Sequence, residues 1–171
     1  KRGKLTAEGQ QEILDRIQLT TDLAALADAA LVVEAVPERL EIKHEVFGAL
    51  DAVCTPDAVL ATNTSSLPVT RIATESRHPA RVVGMHFFNP ATVLKLIEVI
   101  RTEQTAGGLA EDVAALATRL GKIPVVVGDR PGFVANALLF GYLNQAAAMA
   151  EAGQAGRGQI DTAMTAGAGL P

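Results

Sequence analysis

Short apolar runs alternate with amphipathic stretches along most of the chain. Leu31-Val32-Val33-Glu34-Ala35-Val36 is nearly continuous in apolar side chains, as a strand covered on both faces requires. Val59-Leu60-Ala61-Thr62-Asn63 repeats that pattern and ends in small polar residues. Val82–Phe87, Leu94–Ile100 and Ile123–Val127 read as three more strands. Between them the period shifts toward that of a helix. Ile42, Val46, Phe47, Leu50 and Val53 recur at helical spacing after Pro37-Glu38, where a proline and an acid suit a first turn. Leu109, Val113, Leu116 and Leu120 do the same in a helix starting near Thr105 or Ala106 and stopped by Gly121. Thr6 with Glu8 predicts a helix to about Ile17, followed by a short strand near Gln18–Thr21. Thr21 or Asp22 caps a short helix toward Ala27, and Thr70–Thr74 is another.

The character changes at Gly128-Asp129-Arg130-Pro131-Gly132. Beyond it no strand pattern follows. An Ala/Leu-rich helix runs toward Glu151, then glycines, then a helix near Gln159–Thr165. Strands alternating with helices predict an α/β layer fold with a mostly parallel sheet, and the boundary falls at about 128. The two units are 1–128 and 129–171. Phe133–Ala150 is apolar enough to raise a membrane span, but Asn136, Gly141, Asn144 and Gln145 interrupt it. It is read as a buried helix, one packing on a second subunit.

Composition narrows the function. The chain has 171 residues, enough for a real core, and 49% hydrophobic residues argue against disorder. Aromatics are 4% without tryptophan and the net charge is −4, which disfavours nucleic-acid partners. The one cysteine, Cys54, has no intrachain partner, fits a reducing cytoplasmic setting and reads as a small core residue. No signal peptide follows Lys1-Arg2-Gly3-Lys4. The chain has no starting Met and ends in a turn, Gly167–Pro171, so it reads as cut at both ends.

Candidate chemistry concentrates on His86 and Glu98. His86 ends one strand, in Gly84-Met85-His86-Phe87-Phe88-Asn89-Pro90. Glu98 interrupts the next apolar strand and needs a partner if buried. If the two strands run antiparallel, the side chains meet, and a carboxylate on one ring nitrogen leaves the other free as a base. Asn136 is a third polar residue in apolar surroundings. A metal site is not expected, because no second histidine or cysteine lies near His86. His44 and His78 read as surface residues. Asn63-Thr64-Ser65-Ser66 fits either a site over a crevice or an ordinary turn. Glu38 and Lys43 fit either contacts to ribose hydroxyls or a solvated helix start. No Gly-x-Gly-x-x-Gly follows a strand, so a dinucleotide's phosphate loop would have to precede Lys1.

Together these stretches, with Lys95-Leu96-Ile97-Glu98-Val99-Ile100, Pro131-Gly132-Phe133-Val134-Ala135-Asn136 and Ile160-Asp161-Thr162-Ala163-Met164, resemble the L-3-hydroxyacyl-CoA dehydrogenases over nearly the whole chain. The resemblance implies a Rossmann-like, doubly wound NAD-binding domain, here without its N-terminal part, then an all-helical domain, here truncated. It implies NAD as cofactor, an acyl-CoA substrate oxidised from (S)-3-hydroxyacyl-CoA to 3-ketoacyl-CoA, and a homodimer through the helical domain, with neither nucleic acid nor membrane as partner. It makes His86 the general base, Glu98 its orienting acid, and Ser65 and Asn136 the groups holding the reacting oxygen. It places Glu38, Lys43, Ser65 and Asn89 at NAD, and Lys1 or Lys4 near the CoA phosphates. A molecule beginning at Lys1 is then expected to bind NAD negligibly. The alternatives are a relative acting on free hydroxy acids or sugar acids, as in the gulonate dehydrogenase and lambda-crystallin branch, and a non-catalytic scaffold.

Overall fold

The computed structural model describes residues 6–170. Lys1 and Lys4, with the CoA-phosphate contact expected of them, lie outside those residues. The elements are α1 (Ala7–Leu14), a 3-10 turn at Leu23–Leu26, β1 (Leu31–Glu34), α2 (Leu40–Val53), β2 (Val59–Thr62), α3 (Val69–Ala73), β3 (Val82–Phe87), β4 (Leu96–Arg101), α4 (Leu109–Arg119), β5 (Ile123–Gly128), α5 (Ala135–Glu151) and α6 (Arg157–Ala168). The strands form one sheet in the order β1-β2-β3-β4-β5. β1 with β2, β2 with β3 and β4 with β5 are parallel, and β3 with β4 is antiparallel. The mostly parallel α/β layer and the helical segment after it agree with the expectation.

Pleating divides the core. Leu60, Val82 and Ile100 point to one face, where Phe47 and Leu50 of α2 and Val69 and Ile72 of α3 cover them. Ala61, Val83, Met85, Ile97 and Val99 point to the other, under Val113 and Ala117 of α4. Gly84 lies on the first face, where a Cβ would sit 2.7 Å from Ile100 Cβ, 2.8 Å from its Cδ1 and 3.1 Å from Val69 Cγ2. Gly84→Ala is therefore expected to overpack this layer and to cost about 1–3 kcal/mol, read as a lower urea midpoint with an unchanged m-value.

Several boundaries differ from the sequence reading, each for a local reason. Residues 18–21 form no strand; the Asp22 N–H bonds the Thr20 hydroxyl, and Asp22 caps the 3-10 turn by accepting from the Ala24 N–H. α1 stops at Leu14, with none of its residues buried. α2 starts at Leu40 rather than Pro37, because the Glu38 carboxylate turns away to the loop after β2. α4 starts at Leu109, because Thr102 and Thr105 exchange N–H to hydroxyl bonds and hold an intervening turn. β4 starts at Leu96, because the Lys122 ammonium binds the carbonyls of Ala91 and Leu94 and holds them in the preceding loop.

The largest difference is α5. Within this chain it has no buried residue, and Leu138 is 70% exposed, with Phe140 and Leu143 also open. The expectation of a buried helix is corrected to that extent: no part of the described residues covers this face. Among those residues no helix is long and apolar enough to cross a membrane.

Candidate active site

The parallel strands β1, β2 and β3 present their C-terminal ends along one edge of the sheet, the edge where open α/β sheets bind ligands. Glu34, Thr62 and His86 stand at these ends. In the antiparallel register of β3 and β4, His86 lies directly opposite Glu98. Directly opposed residues share a face, so the pair points to the α2/α3 side. His86 Nδ1 is 2.8 Å from Glu98 Oε2, and both side chains are almost fully buried. Since an ionised carboxylate only accepts, Nδ1 carries the hydrogen, and in the neutral ring Nε2 presents a lone pair. Nε2 makes no hydrogen bond to the described residues, and the His86 side chain is 4% exposed. Phe88 and Phe133 flank the imidazole at centroid distances of 4.5 and 5.5 Å.

The second oxygen of Glu98 is held from the helical segment. Oε1 accepts the backbone N–H groups of Val134 at 3.0 Å and Ala135 at 2.9 Å, at the N-terminus of α5. A buried carboxylate with three donors satisfies the requirement that its charge be paired. One residue into α5, Asn136 donates its amide to the Ser65 carbonyl at 3.4 Å. Asn136 is half-buried and Ser65 is exposed. Neither is enclosed as His86 and Glu98 are, so the expectation of Asn136 as a buried polar residue is corrected.

The Ser65 turn is clamped from the segment between β1 and α2. Glu38 Oε1 accepts from the Thr64 hydroxyl at 2.5 Å and from the N–H groups of Ser65 at 2.8 Å and Ser66 at 3.1 Å. Burial alone raises the Glu38 pKa. The bonds from Thr64, Ser65 and Lys43, together with the charge of Lys43, outweigh it and hold the carboxyl at about 2. Lys43 is 1% exposed; its ammonium lies 2.7 Å from Glu34 Oε1 and 3.2 Å from Glu38 Oε2. Glu34 Oε2 in turn accepts from the Thr62 hydroxyl at 2.7 Å. Neither the solvated helix start nor an outward-reaching lysine describes this arrangement. Lys43 is an internal counter-ion, while the Glu38 side chain remains 36% exposed. Asn63 ties the same turn to β3, its side-chain Oδ1 accepting from the Phe87 N–H at 2.9 Å.

His86, Glu98, Asn136, Ser65, Glu38 and Lys43 thus belong to one connected set. Asn89 stands exposed in the loop after β3, with no side-chain bond among those found. Cys54 is buried, its thiol 3.5 Å from the Leu26 carbonyl, as a small core residue. His78 is exposed, whereas His44 is half-buried and bonds the Arg71 carbonyl through Nε2, so the surface reading of His44 holds only in part. The sequence reading misses the backbone donors of Val134 and Ala135 and the structural use of Glu34 and Thr64. The available signals were an acid inside the apolar run of β1 and Pro-Gly just ahead of a helix.

Residues 1–130 match the family 3-hydroxyacyl-CoA dehydrogenase, NAD binding domain, and residues 132–171 match the family 3-hydroxyacyl-CoA dehydrogenase, C-terminal domain. A 3-hydroxybutyryl-CoA dehydrogenase of Mycobacterium tuberculosis is 46% identical over 99% of this chain and 60% of its own length. A 3-hydroxyadipyl-CoA dehydrogenase of Escherichia coli K12 is 45% identical over 99% of this chain and 36% of its own length. The crystal structure of an (S)-3-hydroxybutyryl-CoA dehydrogenase from Ralstonia eutropha superposes with a TM-score of 0.95 at 35% identity, over 98% of this chain and 59% of that one. The chain therefore spans about 60% or less of the length of these relatives.

Proposed function

The chain belongs to the 3-hydroxyacyl-CoA dehydrogenase family, and from that premise we propose that the protein oxidises (S)-3-hydroxyacyl-CoA to 3-ketoacyl-CoA with NAD. The observation that carries the reading is the 2.8 Å bond between His86 Nδ1 and Glu98, which leaves Nε2 uncommitted as a base at the strand ends. His86 Nε2 takes the proton of the substrate 3-hydroxyl. Glu98 faces the imidazolium so formed and stabilises it. Ser65, which is exposed, and Asn136 hold the reacting oxygen so that C3 is presented for hydride loss. NAD, when bound, supplies the hydride acceptor.

The residues present fit that cofactor at the sheet edge. Glu38 keeps part of an ionised carboxylate open there, an acceptor suited to ribose hydroxyls, and Asn89 adds an open amide. Lys43 has no open surface, so its contribution passes through Glu38. We assign 1–128 to the cofactor-binding unit and 129–171 to the start of the helical unit. The exposed Leu138, Phe140 and Leu143 support a homodimer through that helical unit, and the free Cys54 favours a cytoplasmic setting.

The test is NADH formation by the intact protein with 3-hydroxybutyryl-CoA, with free 3-hydroxybutyrate and with a sugar acid such as gulonate. The expected result is turnover of the CoA ester alone, inhibited competitively by free CoA. Turnover of a free acid with indifference to CoA would move the protein to the branch acting on free acids. No NADH from any of the three would leave a scaffold.

A further inference from the structure

We propose that the left-handed turn at Gly132–Phe133 fixes the orientation of Glu98 against His86 from a distance, by delivering two backbone N–H groups to the far oxygen of Glu98. Gly132 has φ +74° and Phe133 φ +49°. Phe133 is a bulky aromatic, for which that region is an outlier. The turn reverses the chain so that Val134 and Ala135, at the start of α5, both direct their N–H groups at Glu98 Oε1. It also seats the Phe133 ring 5.5 Å from the imidazole and places Asn136 where its amide reaches the Ser65 carbonyl. A Cβ on Gly132 would lie 3.0 Å from the Ala137 backbone nitrogen, so the turn and the first turn of α5 are packed against each other.

The two N–H groups act as a lock because Oε1 is committed to them. Only Oε2 is left for His86 Nδ1, and the carboxylate cannot rotate without abandoning two donors in a buried site. The positive end of α5 favours the anion in the same sense. Val134 and Ala135 are therefore positioning residues through their backbones, and Gly132 and Phe133 through the shape of the turn. None of the four need touch substrate.

The lock makes a specific forecast for Glu98→Gln, a side chain of equal size with one oxygen. The N–H groups of Val134 and Ala135 require an acceptor, so the amide oxygen takes the Oε1 place and the NH2 group faces His86. A donor facing Nδ1 needs a lone pair there, and the ring hydrogen moves to Nε2, where the base's lone pair had been. Without the two N–H groups the amide would simply turn round and preserve the original tautomer.

The forecast rests on the dehydrogenase reading only for its kinetic part. The decisive measurement is the 15N spectrum of the His86 ring in the intact protein, at a pH where the ring is neutral. The unmutated protein is expected to show hydrogen on Nδ1, and Glu98→Gln to show it on Nε2. The same variant is expected to lose roughly 10²- to 10⁴-fold in kcat, as the wrong tautomer does in the Ser-His-Asp hydrolases, with a much smaller change in KM. Gly132→Ala keeps Glu98, and so hydrogen on Nδ1, but strains the turn and misplaces the pair; it is expected to lose about 10²-fold in kcat with a much smaller change in KM, while Gly132→Asn, which tolerates the left-handed region better, recovers part of the loss. Hydrogen retained on Nδ1 in Glu98→Gln overturns the proposal. So does Gly132→Ala with undiminished kcat, which also decides the matter if Glu98→Gln does not fold. Failure of the unmutated protein to oxidise any 3-hydroxyacyl-CoA would instead defeat the dehydrogenase reading and leave the ring spectra to stand on their own.

Discussion

His86→Ala is expected to lower kcat/KM for 3-hydroxyacyl-CoA oxidation by about 10²- to 10⁴-fold, the range seen when a positioned acid–base group is removed. At about 1.36 kcal/mol per tenfold, the lost transition-state stabilisation is roughly 2.7–5.5 kcal/mol. The loss should fall on kcat more than on KM, because the proton is shared with Nε2 only as the alcohol reacts, whereas Glu38, Ser65 and Asn136 remain to bind cofactor and substrate. Alanine also leaves Glu98 Oε2 without its 2.8 Å partner inside the sheet, so the same change should lower stability. His86→Asn separates the two effects. Its amide can still donate to Glu98 but offers no nitrogen base, so stability should largely return while activity stays lost. Kinetics and urea unfolding on both variants check this. An alanine variant with unmutated kcat/KM would remove His86 from the mechanism.

That the two side chains face each other is legible in the sequence, because strand periodicity leaves few alternatives. An acid between Ile97 and Val99, in a strand next to one ending in histidine, must find a donor, and the register pairs His86 with Glu98. The core is legible for the same reason: the apolar runs of β1 to β4 and the spaced residues of α2 and α4 supply the two packed layers. What the pattern hides is set by contacts distant along the chain. Lys43 lies in a helix beside the exposed Glu41 and Glu45, and only the fold of Val36–Arg39 brings Glu34 and Glu38 around it. The donors of Val134 and Ala135 belong to the backbone and have no side-chain signature. The apolar content of α5 predicts burial, but covering that face requires surface that residues 6–170 do not provide. Hydrophobicity indicates that a face is to be covered and does not name its cover.

Asp51→Asn is expected to destabilise the protein by about 3–5 kcal/mol at neutral pH, through a cluster that touches none of the catalytic groups. Asp51, near the end of α2, accepts from the Ser76 hydroxyl at 2.6 Å, from Arg81 Nη2 at 2.9 Å and from Arg77 Nε at 2.9 Å. Arg81 is buried, also bonds the Thr55 carbonyl, and keeps its Nε without a partner. Removing the one anion beside it leaves an interior guanidinium uncompensated, which is worse than deleting the pair outright. The pH dependence has a definite sign. Burial raises the Asp51 pKa, but Ser76, Arg81 and Arg77 outweigh it and hold it at about 2, below the ordinary 3.8. A folded-state pKa below the unfolded value means that the carboxylate's contribution is complete above about pH 4 and is lost as pH falls toward 2. Glu38, also held at about 2, weakens the protein over the same range, but it does so equally in both forms and cancels in the difference. Urea unfolding of the two forms at pH 7, 4 and 2.5 should therefore show a gap that is constant between the first two and narrower at the third. A gap unchanged at pH 2.5 would mean that the stabilisation comes from the shape of the Asp51 side chain and not from its charge.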